Sequence, residues 1–169
     1  AFGHGGKGPI PAYGTAETLK TLTARFDYIF NQNTTGSGHL YKPFLEAREV
    51  AGPFEFRGIP VTPFEQAHGF GSVTTGYRVG QMAYSTDAVG LSDAAFEILR
   101  GVDLWIVDCL RFDPHPTHAH FDMALDWIAR VNPRHAILTH MNHMVDYDVI
   151  KARCPKGVEP AYDGLSVDI

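Results

Sequence analysis

The sequence predicts a mixed α/β fold built around one sheet, and three observations predict it. The unbroken apolar run Leu104-Trp105-Ile106-Val107 reads as a strand covered on both faces. Upstream of it, short runs rich in Phe, Val and Tyr meet at glycine turns, which makes the middle of the chain hairpin-rich. Downstream, helical and strand patterns alternate, as they do where helices cover a sheet. A chain of 169 residues with 44% hydrophobic content can bury one core, so residues 1–169 are expected to form one globular unit.

The elements follow in order. Gly3 to Pro11 is rich in Gly and Pro and reads as a loop. Its Gly3-x-Gly5-Gly6-x-Gly8 spacing lacks both the Gly-Lys-Ser/Thr ending of a phosphate loop and a preceding strand. Thr15 offers an N-cap, and Leu19, Leu22 and Phe26 recur at helical spacing, which places a helix over about 16–27. From Asn31 the period fails, and a surface insertion is expected over about 31–52. Phe54–Phe56 and Ile59–Val61 form a hairpin around Arg57-Gly58, and Tyr77–Val79 with Met82–Tyr84 repeat the device at Gly80-Gln81. Ser92 opens a helix that Gly101 closes, with Phe96 and Leu99 on its inner face. Phe121, Leu125 and Ile128 define the next helix, ended by Asn132-Pro133, and Ala136-Ile137-Leu138 is a further buried strand.

Three of these strands run into residues that can ligate a metal. Val61 to Ala67 leads to His68, Met82 to Thr86 leads to Asp87, and Ala136 to Thr139 leads to His140. Imidazole and carboxylate suit zinc or manganese and leave coordination positions for water. A lone histidine at a strand end is more often structural than ligating, so it is the set of three that counts. A second cluster, Pro114-His115-Pro116-Thr117-His118-Ala119-His120-Phe121-Asp122, sits at a helix entrance. Its histidines either decorate a loop and cap the helix, or carry chemistry. His143 either supports a ligand or faces solvent on a turn, and Asp108 either anchors a histidine or is an ordinary turn residue. His39 and His135 carry no motif and read as surface residues.

From about Phe56 to Ile169, including the closing Tyr162-Asp163-Gly164-Leu165, the chain resembles the second half of a metallo-β-lactamase-fold hydrolase. Within that superfamily it is most similar to the phosphodiesterase branch, especially the phosphoribosyl cyclic phosphodiesterase of the carbon-phosphorus lyase pathway, with ribonuclease Z a more distant cousin. The resemblance implies a four-layer αββα sandwich of which this chain holds one αβ half. It also implies two divalent metal ions, zinc or manganese. His68 would bind one, His140 the other, and Asp87 would bridge them about 3.5 Å apart, activating a hydroxide against a nucleotide or sugar phosphate ester. A histidine at the entrance of the following helix would act as general acid. His120, followed by Phe121-Asp122, matches that place, while His118 and His143 are further residues for the substrate or for supporting a ligand. The family's first metal motif, His-x-His-x-Asp-His, does not occur in the sequence, and the opening Ala1-Phe2-Gly3 reads like the middle of a longer chain. The alternatives that the resemblance leaves open are a thioester or lactam hydrolase of the same fold, and a non-catalytic or degenerate nucleotide-binding member.

Charge and composition narrow the partners. With 14 basic against 19 acidic residues the surface is mildly acidic, which argues against a tight sequence-independent grip on nucleic-acid duplexes and leaves a small phosphorylated substrate open. Cys109 and Cys154 lack metal-site spacing and read as free thiols in a reducing cytoplasm. No apolar stretch approaches the roughly 18 residues that a membrane span needs. A homodimer is a common state for this enzyme class.

Overall fold

A computed structural model describes residues 9–30 and 45–168. The chain divides into two compact units, residues 1–53 and 54–169.

In the first unit, strand β1 (Ile10–Gly14) pairs in parallel with β2 (Leu45–Glu49), Ile10 lying opposite Leu45. Between them run the helices α1 (Ala16–Arg25) and α2 (Asp27–Phe30). The Thr15 hydroxyl accepts the Thr18 N–H at 3.3 Å and so caps α1, as its position before the periodic residues predicts. The helix expected over 16–27 stops at Phe26, whose φ of −123° leaves the helical region. Ile10 and Pro11, expected in a loop, stand in β1, because a partner strand far along the chain recruits them. Most of the expected insertion, residues 31–44, lies outside the described residues, as do residues 1–8 of the expected loop.

The second unit holds the sheet that the sequence predicts. Its strands are β3 (Phe54–Phe56), β4 (Ile59–Ala67), β5 (Val73–Val79), β6 (Met82–Ser85), β8 (Leu104–Asp108), β9 (His135–Thr139) and β10 (Val158–Pro160), with the short β7 (Gly90–Leu91) pairing on β4. The order is β10-β9-β8-β6-β5-β4-β3, parallel from β10 to β6 and antiparallel from β6 to β3. The hairpins turn where the sequence places them. Arg57 and Gly58 both have positive φ (53° and 82°), and Gly80 has φ 58°, the conformations that match a tight turn to strand twist. On the parallel side, helices α3 (Asp93–Leu99), α4 (Phe121–Val131) and α5 (Tyr147–Arg153) make the crossovers. Ser92 caps α3 and Asp146 caps α5 through their side-chain oxygens, while Gly101 and Asn132 follow α3 and α4 in the left-handed region.

The core is a slab of apolar side chains from this sheet and its helices, with Trp105, Val107, Leu138, Leu99, Ala124 and Ile150 fully enclosed. The Trp105 indole N–H donates to the Ser85 hydroxyl at 3.0 Å, which removes the cost of burying both polar atoms. Helix α4 contributes Phe121, Ala124, Ile128 and Val131 from one face, the period that a helix covering a sheet requires.

Two checks follow from this packing. Gly76 on β5 lies opposite Phe64 on β4, and a Cβ there would stand 2.5 Å from the Phe64 ring and 2.6 Å from Gln66 Oε1. Since Phe64 and Gln66 are both buried, Gly76→Ala is expected to lower unfolding free energy by about 1–3 kcal/mol, read from denaturant titration. Burial pushes the Cys109 thiol up to about 12, so it stays protonated well above neutrality. In native protein at pH 8, iodoacetamide is expected to label Cys154 and spare fully buried Cys109. Because the folded thiol holds its proton where the unfolded one has lost it, this group's contribution to stability falls as pH rises from about 9 toward 12.

Candidate metal centre

Sheet topology brings the strand-end residues together. Strands β9, β8 and β6 are parallel neighbours, and two antiparallel steps make β4 point the same way, so the C-terminal ends of all four share one sheet edge. His68, Asp87, Asp108 and His140 stand at those ends. Asp87 and His140 adopt left-handed backbones, with φ 56° and 67°. Such a conformation costs on the order of 1–3 kcal/mol for a residue other than glycine and persists only where the surroundings impose it.

At Asp87 the surroundings can be named. Gln66 is 1% exposed, and its amide donates to the Thr86 carbonyl at 3.0 Å and to the Thr74 hydroxyl at 3.2 Å. Thr74 in turn donates to the Asp87 carbonyl at 2.8 Å. On the other side the Ala88 N–H donates to Asp108 Oδ2 at 2.9 Å, and the Ala88 carbonyl accepts the Ala119 N–H at 2.6 Å. The turn that presents Asp87 is therefore tied to β4, β5, β8 and the loop before α4 together.

Asp108 is the one carboxylate in this edge with no solvent exposure. Besides the Ala88 N–H, its Oδ2 is bonded to His118 Nδ1 at 3.0 Å, while its Oδ1 lies 3.8 Å from His140 Nδ1 and has no hydrogen-bond partner. Burial pushes the carboxyl above its ordinary value, against the opposing pull of the Ala88 N–H and His118. The His118 ring stands 4.8 Å from the ring of His140, stacked, and 4.8 Å from that of His68, edge-on. His115 lies further out, 5.3 Å from His118, and desolvation, then the neighbouring Arg111 and His118, lower its basicity against the opposing pull of Asp108.

The donors present suit a divalent cation. His68 Nδ1 lies 2.9 Å from the Thr117 carbonyl, which can only accept, so Nδ1 carries the hydrogen and Nε2 keeps its lone pair for a metal. The ligand atoms of His68, Asp87 and His118 lie within 4.8 Å of one another, and so do those of Asp108, His118 and His140. Asp87 Oδ1 and His140 Nε2 are 3.6 Å apart, close to the roughly 3.4 Å between two donors on one tetrahedral ion. The unpartnered Oδ1 of Asp108 adds a desolvated negative charge directly behind His140, where positive charge in front is favoured.

Of the residues singled out in the sequence, His68, Asp87, Asp108, His118 and His140 come together, and His120 and His143 do not join either group of ligand atoms. His120 is the N-cap of α4, its backbone bridged to Arg111 and its Nδ1 buried without a hydrogen-bond partner. His143 is exposed on the turn closed by Val145 N–H to the Asn142 carbonyl. Gln66 and Thr74 were not anticipated. Their signal was a polar pair inside otherwise apolar or hairpin strands, Gln66 standing two residues before His68.

The family model described as the beta-lactamase superfamily domain matches residues 3–141. A crystal structure described as a new diphosphatase from the PhnP family superposes with a TM-score of 0.85 at 30% identity, covering 98% of this chain and 60% of that one. Human tRNase Z, short form, superposes with a TM-score of 0.67 at 16% identity, covering 97% of this chain and 70% of that one, a likeness of fold. An octanoyltransferase of Porphyromonas gingivalis is 26% identical over 164 residues, which is 95% of this chain and 32% of that protein. The chain thus spans about a third of that curated relative and three fifths of the diphosphatase. With a family match over most of its length, and with candidate metal-binding groups gathered on one sheet edge, the chain belongs to the beta-lactamase superfamily domain family.

Proposed function

We propose that the protein is a metal-dependent phosphodiesterase acting on a nucleotide or sugar phosphate ester, with His68, Asp87 and His140 as metal ligands and His118 as the proton donor. The observation that carries this reading is the position of His118, hydrogen-bonded to buried Asp108 and standing between the imidazoles of His68 and His140. The likeness to a diphosphatase supports the phosphate-ester class.

When bound, two divalent ions, zinc or manganese, supply an activated water and neutralise charge on the phosphoryl group. The chain's own residues do the rest. Thr117 holds the His68 ring through Nδ1, and the Gln66–Thr74 pair holds Asp87 in its strained backbone. Asp108 fixes His118 through Nδ1, so the proton that His118 gives to the leaving-group oxygen comes from Nε2. The proton-donor role, which the sequence places at His120, is thereby given to His118, since the chain turns into α4 at His120.

In the full-length natural protein, His118→Ala is expected to keep its metal while turnover of esters with poor leaving groups falls roughly 10²-fold or more. Nitrophenyl esters, which need no proton, lose less. Metal analysis beside the kinetics checks this, and loss of metal would make His118 a ligand instead. Faster turnover of an acyl thioester than of any phosphodiester by the wild type would overturn the substrate class. Asp108→Asn keeps an acceptor for Ala88 but removes the charge behind His140, and metal affinity is expected to drop about 10- to 100-fold in a competitive chelator titration.

A further inference from the structure

Immediately after His68 the chain makes the tight turn Gly69-Phe70-Gly71-Ser72. The Ser72 N–H donates to the Gly69 carbonyl at 2.8 Å and the His68 N–H to the Ser72 carbonyl at 2.9 Å, so the turn is closed twice. Gly69, Phe70 and Gly71 all have positive φ, at 74°, 49° and 75°. Glycine adopts that region freely; a bulky aromatic residue is an outlier there, where Asn or Gly would ordinarily stand. The turn has no room to shift toward the site, because a Cβ on Gly69 would meet the Pro116 carbonyl oxygen at 2.3 Å. It is seated on the same Pro116-Thr117 backbone that holds the His68 ring and precedes His118.

On this rigid mount the Phe70 side chain is 88% exposed, the most exposed of the large apolar side chains described, and no ring contact involves it among the described residues. A single exposed apolar residue is ordinary on a protein surface. This one is held in an unfavourable backbone, by a doubly closed turn, two residues and so at most about 7 Å of chain from a metal-site histidine. An 88% exposed ring buries little apolar surface on folding. What an exposed ring on a fixed backbone offers is a flat apolar face, and the ligand that such a face recognises beside a phosphate-ester site is a planar heterocycle.

We infer that Phe70 is a specificity residue that stacks on the base of a nucleotide ester held at the site. This rests on the phosphate-ester reading above and narrows it from sugar or nucleotide esters to those that carry a base. A base binds by its π-face whatever its hydrogen-bonding edge, so the preference is for possession of a base and not for one base over another.

The test uses the metal-loaded full-length protein and its Phe70→Asn and Phe70→Trp variants. Asparagine is at home in the left-handed region, so Phe70→Asn is expected to melt at the wild-type temperature or above it. Binding is measured by calorimetry with adenosine 5′-monophosphate and with ribose 5-phosphate, which carries the same phosphate on the same sugar without a base. Wild type is expected to bind the nucleotide more tightly, by roughly tenfold or more, as loss of one stacked base implies. Phe70→Asn should erase that margin with ribose 5-phosphate unchanged, and Phe70→Trp should keep it. On diesters, Phe70→Asn should raise KM for a nucleoside methyl phosphodiester about tenfold and leave kcat, and the base-free ribose analogue, within about twofold. Equal binding of the two monophosphates by the wild type, equal losses on both in Phe70→Asn, or a clear drop in its melting temperature would overturn the inference, the last by showing Phe70 packed against the rest of the protein. If the monophosphates obey Phe70 but no diester is turned over, the hydrolytic reading fails and the base-stacking role stands. If diesters are cleaved without regard to Phe70, the reverse holds.

Discussion

The arrangement of the site depends on one buried carboxylate. Asp108 ends the most enclosed strand of the sheet and reaches three separate pieces of chain: the Ala88 N–H beyond β6, His118 in the loop before α4, and His140 beyond β9. Each piece carries or adjoins a candidate functional residue. A charge in that position is unfavourable by itself, since desolvation raises its proton affinity, and it is held by what surrounds it. The consequence is reciprocal. Asp108 holds His118 and the Ala88 turn by hydrogen bonds, and those same bonds offset part of the cost of burying its charge.

Backbone strain is distributed in the same pattern. Asp87, His140 and Phe70, all non-glycine residues with positive φ, lie at or beside the sheet edge that carries the histidines. Arg57 and Asn132 share the conformation for ordinary reasons, a hairpin turn and a helix end. The difference lies in what replaces them. Glycine or asparagine would serve at the ordinary positions, whereas a carboxylate, an imidazole and an aromatic ring stand at the edge despite their backbone cost.

The sequence made much of this legible, and the failures have physical reasons. The hairpins at Arg57-Gly58 and Gly80-Gln81 and the α3 cap at Ser92 depend on neighbours within a few residues, so local pattern suffices to find them. His68, Asp87 and His140 could be picked out because each follows a strand-like segment, and strands that point the same way in one sheet end on one side. The β1–β2 pair escaped because its partners are joined across a long stretch of chain. Helix α5 and strand β10 are short and leave little period to read, Asp146 being their one clear signal. The choice between His118 and His120 needed more than spacing. The hydrogen bonds of Leu110, Ala119 and Phe121 tie that loop to Ala88 and to the segment after β8, and of the two rings the one bonded to Asp108 is His118, on which the proposed proton-donor role rests.

The sheet changes character at β6. On one side β3 to β6 is a meander of adjacent hairpins; on the other, β8, β9 and β10 join through helical crossovers. Contacts of the first kind close over short loops and those of the second over long ones, so pairing the parallel strands costs more loop-closure entropy than pairing the meander. His68 and Asp87 come from the meander side, Asp108 and His140 from the parallel side. The full set of strand-end residues therefore meets only where the two halves of the sheet join, along the β6–β8 pairing. A chain whose parallel strands have opened keeps at most the His68 and Asp87 pair and lacks the donors of Asp108 and His140.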